Sequence, residues 1–140
     1  MAVNNIIKRI QNIMRQDAGI NGDAQRIEQM TWMFFLKVYD TQEETWEYKD
    51  ENYKSIIPED LRWRKWAVDE KDGEALTGEA LLSFVNEKLF PTLKNLPIDA
   101  NTPRAKSIVL ETFADLNQYM KNGTLLRQVV NIVNEIEFDD

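Results

Sequence analysis

Between Asn21 and Glu44 the chain reads NGDAQRIEQMTWMFFLKVYDTQEE, and this stretch limits the fold more than any other. Asn21, Gly22 and Asp23 supply a turn and a helix N-terminus. Ala24, Ile27, Met30, Phe34 and Val38 then recur at helical spacing. Thr31, Phe35 and Tyr39 lie one position further round, and Trp32, Met33 and Leu36 carry the apolar surface over most of the circumference from Met30 to Tyr39. A helix apolar on nearly every side is enclosed by other helices. The expectation is an all-α domain packed around a central hydrophobic helix at about residues 23–44. This helix is no membrane span, because its apolar run is far shorter than the roughly 20 residues a bilayer needs.

The flanking sequence supplies helices to surround it. Over Asn4 to Gln16, Ile6, Ile7, Ile10, Ile13 and Met14 share one face, with Lys8, Arg9 and Arg15 off it. Asp17 to Gly22 is a compact link in which Gly19 reads as a C-cap. From Glu47 to Lys54 the sequence turns mixed and polar, and an irregular connector pinned by Trp46, Tyr48 and Tyr53 is expected. Pro58, Glu59 and Asp60 suit the first turn of a short helix. Asp69 to Glu74 reads as a charged turn with Gly73. Thr77 is placed to cap a helix over Glu79 to Phe90 that buries Leu81, Leu82, Phe84, Val85 and Leu89, with Pro91 and Pro97 at its exit. Thr102 and Pro103 begin a further helix carrying Ala105, Ile108, Val109, Phe113, Leu116 and Met120, which stops at Asn122-Gly123. Thr124 is read as the cap of the last helix, with Leu125, Leu126, Val129, Val130, Ile132, Val133 and Ile136. The count is five main helices and a short sixth, with neither hairpin-type alternation nor internal repeats.

At 140 residues the chain is one domain by size, residues 1–140, with an ordinary hydrophobic content of 43%. It has no cysteine and no histidine, which removes disulfides, thiol nucleophiles, thiolate metal sites and the commonest general base together. The opening residues MAVNNIIKRIQ hold no apolar run of signal-peptide type, so the cytoplasm is the default location. A net charge of -7 argues against coating nucleic acid by bulk electrostatics, although a local basic face is compatible with it.

The most concentrated basic and aromatic cluster is Arg62-Trp63-Arg64-Lys65-Trp66. Its cations can grip phosphates while an indole stacks on a base or sugar. The favoured alternative is that the tryptophans fold into the core while the cations snorkel outward. Acid pairs at Glu43-Glu44, Asp50-Glu51, Asp69/Asp72 and Asp139-Asp140 sit in hydrophilic runs and read as solvated surface. The aromatic run Trp32 to Tyr39 is explained by core packing rather than by a cofactor groove. The two apolar stripes of the last helix leave its outer face as a candidate docking surface. No G-x-x-x-x-G-K-[ST] loop, G-x-G-x-x-G turn or G-x-S-x-G elbow occurs. No residue is nominated as catalytic, cofactor-binding or metal-ligating.

The Gly22-Asp23 pair followed by R-I-x-Q-M-T-W-M-F-F-L-K and the acidic end at Asp40 to Glu44 resembles the N-terminal helical domain of the modification subunit of type I restriction–modification systems. The Trp63/Trp66 pair after Ile57-Pro58, the block Phe84 to Leu93, and the ending Leu125 to Val130 through Glu137-Phe138 resemble the same domain in the same order. The resemblance implies a parent enzyme that transfers a methyl group from S-adenosylmethionine to N6 of adenine in a split double-stranded DNA site. It implies assembly with a specificity subunit, a second modification subunit and a restriction subunit. The family's F-x-G-x-G and N-P-P-F motifs are absent, so its catalytic domain is expected after residue 140, and this domain is expected to assist DNA clamping and subunit assembly. Arg62, Trp63, Arg64, Lys65 and Trp66 are the candidate DNA or partner contacts. The alternative is a self-standing helical adaptor that binds protein without catalysis.

Overall fold

A computed structural model describes residues 3–68, 76–97, 99–102 and 104–136. The charged turn at 69–74, Pro103, the Ala105 side chain, Glu137-Phe138 and the Asp139-Asp140 pair lie outside the described residues. The elements are α1 (Val3–Met14), α2 (Gly22–Lys49), a 3-10 turn (Glu59–Leu61), α3 (Trp63–Trp66), α4 (Gly78–Ser83), a π-helical segment (Phe84–Leu89), α5 (Phe90–Lys94), α6 (Arg104–Ala114) and α7 (Gly123–Asn134). Among the described residues there is no strand. The backbone is helical without a break from α4 through the π segment into α5, so the fold has five substantial helices and the short α3, as the sequence pattern requires.

The 28-residue α2 is the helix around which the others assemble. Trp32, Met33 and Leu36 are wholly enclosed. The Trp32 ring meets Phe90 edge-on at 5.1 Å and stacks beside Trp66 at 6.5 Å. Phe113 of α6 closes the far side against Phe35 and Phe90. Helix α7 lies alongside, packed against α1, α2 and α4, and α5 packs against α6.

The buried face of α2 is not the apolar stripe the sequence suggests. Ala24 and Ile27 are exposed, Ile27 at 57%, whereas Gln29, Asp40 and Glu43 are buried with Met33 and Leu36 between them. The inner stripe therefore runs polar, apolar, polar, because each end of the helix meets an irregular segment whose polar groups need partners. Helix α2 also runs on to Lys49 rather than ending near Glu44. Residues 45–49 contain neither Gly nor Pro, and Trp46 packs edge-on against Tyr39 at 5.7 Å, which carries the helix beyond its expected end.

The rod formed by α4, the π segment and α5 passes through Pro91 instead of stopping there. In the π segment the Phe90 amide bonds to the Val85 carbonyl, five residues back, so the hydrogen-bond ladder is reset just before the residue that has no N–H to give. Pro91 then falls in the first turn of α5, where no donor is missed.

Four further expectations change. Helix α6 ends at Ala114, and residues 115–122 are not helical, because side chains of other segments take up their backbone groups. Gln29 Oε1 accepts from the Tyr119 amide at 2.8 Å, and Glu28 Oε2 accepts from the Asn117 amide at 2.8 Å. Asp17, 3% exposed, accepts from the amides of Gly19 (2.7 Å), Lys121 (2.9 Å) and Asn122 (2.9 Å). The cap of α7 is Asn122, whose side chain accepts from the Leu125 amide, and not Thr124. Gly19 does not adopt the left-handed cap conformation. It is small because a Cβ there would collide with the Tyr119 carbonyl. Thr77 sits at the N-cap of α4 as expected, but its side chain makes no capping bond.

Candidate functional site

The cluster 62–66 follows directly from the chain's local chemistry. The 3-10 turn after Pro58 delivers an extended Arg62, and one helical turn then sets Trp63 and Trp66 three residues apart on a single face. Both indoles are buried, at 3% and 4% exposure, and their rings meet at 5.2 Å. Trp63 Nε1 donates to Asn134 Oδ1 at 2.7 Å, tying α3 to the end of α7, and Trp66 Nε1 donates to the Leu61 carbonyl at 3.0 Å. The tryptophans are thus core residues with satisfied N–H groups, the arrangement buried indoles require.

The arginines do not snorkel outward. Asp40, Glu43 and Glu47 stand at three- and four-residue spacing on α2, and Arg62 and Arg64 lie against that acidic stripe. Arg62 donates to Glu47 at 2.7 Å and to Glu59 at 3.2 Å, with Glu43 3.5 Å from its Nε. Arg64 donates to Asp40 at 2.9 Å and to the second Glu47 oxygen at 2.9 Å. Tyr53 Oη donates to Glu43 at 2.7 Å. Lys65 differs: its side chain is 50% exposed, and its one ionic partner among the described residues is Glu59, at 3.3 Å.

The charges hold one another ionised. Burial works against the Arg62 charge, but hydrogen bonds to Glu47 and Glu59, reinforced by Glu43, outweigh it and raise the guanidinium above its ordinary value. Arg64 is raised in the same way, burial being overcome by Asp40 and Glu47. Burial likewise lifts Glu47, yet hydrogen bonds from Arg62 and Arg64 bring its carboxyl below the usual range. Hydrogen bonds from Arg62 and Lys65 lower Glu59. Burial and the neighbouring Glu43 push the Tyr39 hydroxyl up to about 12.

Glu43, read from sequence as solvated surface, is therefore wholly buried, while Glu44, Asp50 and Glu51 are exposed as expected. The signal that could have found this was the 40, 43, 47 spacing of acids one helix away from a basic cluster. Asp17, Gln29 and Asn134, the other polar residues that fix the fold, left no such signal. Beside Arg62 a solvent-open cleft of about 500 Å³ is walled by Tyr53, Ile56, Ile57, Leu96 and Pro97. The last helix has no exposed apolar face to offer a partner: Leu126, Val129, Val130, Ile132, Val133 and Ile136 are all buried, and Leu125 packs against the same core. Both of its apolar stripes are used because it has helices on three sides. Among the described residues no group of three or more acids is arranged to hold a metal ion, and no helix is long and apolar enough to cross a membrane.

The sequence pattern of the HsdM N-terminal domain matches residues 3–133, nearly the whole chain. The chain belongs to that family. As an HsdM N-terminal domain it is 54% identical, over 140 residues, to the Type I restriction enzyme EcoEI methylase subunit of Escherichia coli. That alignment takes in 99% of this chain but 28% of the relative. A modification subunit assigned to a type I restriction enzyme of Vibrio vulnificus YJ016 has the same fold, with a TM-score of 0.82 at 32% identity, covering 98% of this chain and 31% of that one. A chain from a structure addressing complex assembly and conformational transition of the type I R-M system superposes with a TM-score of 0.80 at 34% identity, over 99% of this chain and 26% of the other. The HsdM N-terminal domain thus spans between a quarter and a third of the relatives it matches.

Proposed function

We propose that this chain is the N-terminal helical domain of a DNA methyltransferase subunit that acts in a type I restriction–modification complex. The parent enzyme, a cytoplasmic protein, would transfer a methyl group from S-adenosylmethionine to adenine N6, with cofactor and catalytic motifs supplied by a domain following residue 140. This domain would help close the complex around DNA and seat the modification subunit against its specificity, restriction and second modification partners. The observation that carries the reading is the 54% identity to a methylase subunit, sustained over 99% of the chain. The geometry around residues 62–66 argues against direct phosphate contact for the two arginines, since each already faces two or three carboxylates of the same domain. Lys65 is the member of the cluster left half exposed at the surface.

The test is made in the full-length subunit co-expressed with its specificity subunit. Deleting residues 1–136 is expected to abolish site-specific methylation and to weaken assembly, measured by methyl incorporation and by sedimentation. Full methylation with intact assembly after the deletion would overturn the reading. Charge reversal at Lys65 alone should then separate a partner contact from an idle surface residue, by its effect on subunit affinity.

A further inference from the structure

The chain's charge is unevenly distributed, and the fold turns that asymmetry into a surface. Residues 1–16 contain Lys8, Arg9 and Arg15 but none of the 24 acids, in a protein whose net charge is -7. Helix α1 buries Ile6, Ile10 and Met14 and leaves Lys8, Arg9 and Arg15 exposed. Positions 8, 12 and 15 fall within one narrow arc of the helix, over a rise of about 10 Å. Arg15 is oriented by a 3.1 Å bond to Asn12 Oδ1 on that same face. Among the described residues neither Lys8 nor Arg15 is in an ion pair, in contrast to Arg26, Arg62, Arg64 and Lys88. Arg9, one step round, shares its charge with Glu135 at 3.0 Å. Past the end of α1 lies the exposed Lys121, its side chain close to Gly19 and its backbone N–H held by Asp17.

A rigid helix carrying unpaired cations interleaved with amides is the surface that holds a phosphate backbone, since such contacts fix position without reading bases. Its stiffness matters as well: the opposite face is locked against α7, so the cations lose little freedom on binding. We propose that the outer face of α1, formed by Lys8, Asn12 and Arg15, with Lys121 past its end, is where this domain meets the DNA backbone in the assembled complex. The proposal rests on the methyltransferase reading above and moves the phosphate contact away from residues 62–66.

The experiment uses the full-length subunit assembled with its specificity subunit, and compares wild type with the double variant Lys8→Gln, Arg15→Gln by fluorescence anisotropy on cognate and scrambled duplexes over a salt series. Loss of two phosphate contacts from each of the two modification subunits should lower the slope of log K against log salt by about 3.6 and weaken binding roughly a thousandfold at physiological salt, equally for both duplexes. An unchanged slope with intact assembly overturns the proposal. So does a loss of assembly in sedimentation, which would assign the face to a protein partner. If the wild-type complex itself binds neither duplex, the methyltransferase reading fails instead. A double variant that melts like wild type by circular dichroism excludes misfolding as the cause, as expected for substitutions on an exposed face.

Discussion

Replacing Asp17 by Ala removes one carboxylate and leaves three backbone amides, of Gly19, Lys121 and Asn122, without their acceptor. Asp17 is 3% exposed, so water reaches these groups poorly unless the segment opens. Each orphaned donor costs about 1–3 kcal/mol. Opening of the exposed neighbours Lys121 and Asn122 to solvent recovers part of that, and about 3–5 kcal/mol is expected overall. For a domain of this length that is a large share of a total of about 5–15 kcal/mol and lowers the melting temperature by roughly 10–20 °C. Asp17→Asn keeps one acceptor oxygen but turns an N–H toward an N–H, and should cost about half as much. The assay is urea unfolding followed by far-ultraviolet circular dichroism. A double-mutant cycle with Asn122→Ala adds a sharper test, since Asn122 donates its backbone N–H to Asp17 and caps α7 with its side chain, so that losing the cap loosens the segment presenting that N–H. Coupling of about 1 kcal/mol is expected for that pair. Stability of Asp17→Ala within about 0.5 kcal/mol of wild type, the range of an ordinary surface substitution, would refute the reasoning.

Arg62→Ala strands the buried Glu43 and should cost about 3–5 kcal/mol, whereas Arg62→Met combined with Glu43→Gln should cost much less, as chemical denaturation would report. Acid should loosen the same network: Glu47 and Glu59 are depressed in the folded state, so their stabilisation is present above the unfolded value of 4.5 and is lost as the pH falls through the lower folded values. Denaturation midpoints measured from neutral pH into acid should accordingly fall less steeply for Glu47→Gln than for wild type. Gly123→Ala should prevent α4 and α7 from meeting, because a Cβ would lie 2.6 Å from the Gly78 Cα and closer still to its carbonyl group. Gly78→Ala instead strains a φ of +58° in open space, at about 1 kcal/mol. Thermal melts of the two variants distinguish these mechanisms.

The helices themselves were legible because their apolar periodicity is long and strong, as in α1 and α7, and because Pro58 and the glycine at the start of α7 punctuate the chain. What sequence could not reveal was the inward turn of polar groups. Gln29, Asp40 and Glu43 are buried by partners that lie from 10 to 90 residues away, and no local pattern encodes such pairing. The same limitation hid the early end of α6: residues 115–122 have adequate helical character, but Gln29, Glu28 and Asp17 compete for their amides and win. At the candidate site the two tryptophans fell where one of the two sequence readings put them, in the core. Their flanking arginines satisfy neither reading, because among the acids that claim them Glu47 belongs to the stretch expected as an irregular connector and Glu43 to a pair expected as solvated surface.

The bond between Arg9 and Glu135 spans 126 positions, and α1 is covered chiefly by α7. On a ribosome adding about 5–20 residues per second, the apolar face of the first helix waits roughly 6–25 s for its cover to be made. During that interval Ile6, Ile10 and Met14 lack the helix that covers them in the folded domain, so their burial is among the last steps in the domain's synthesis.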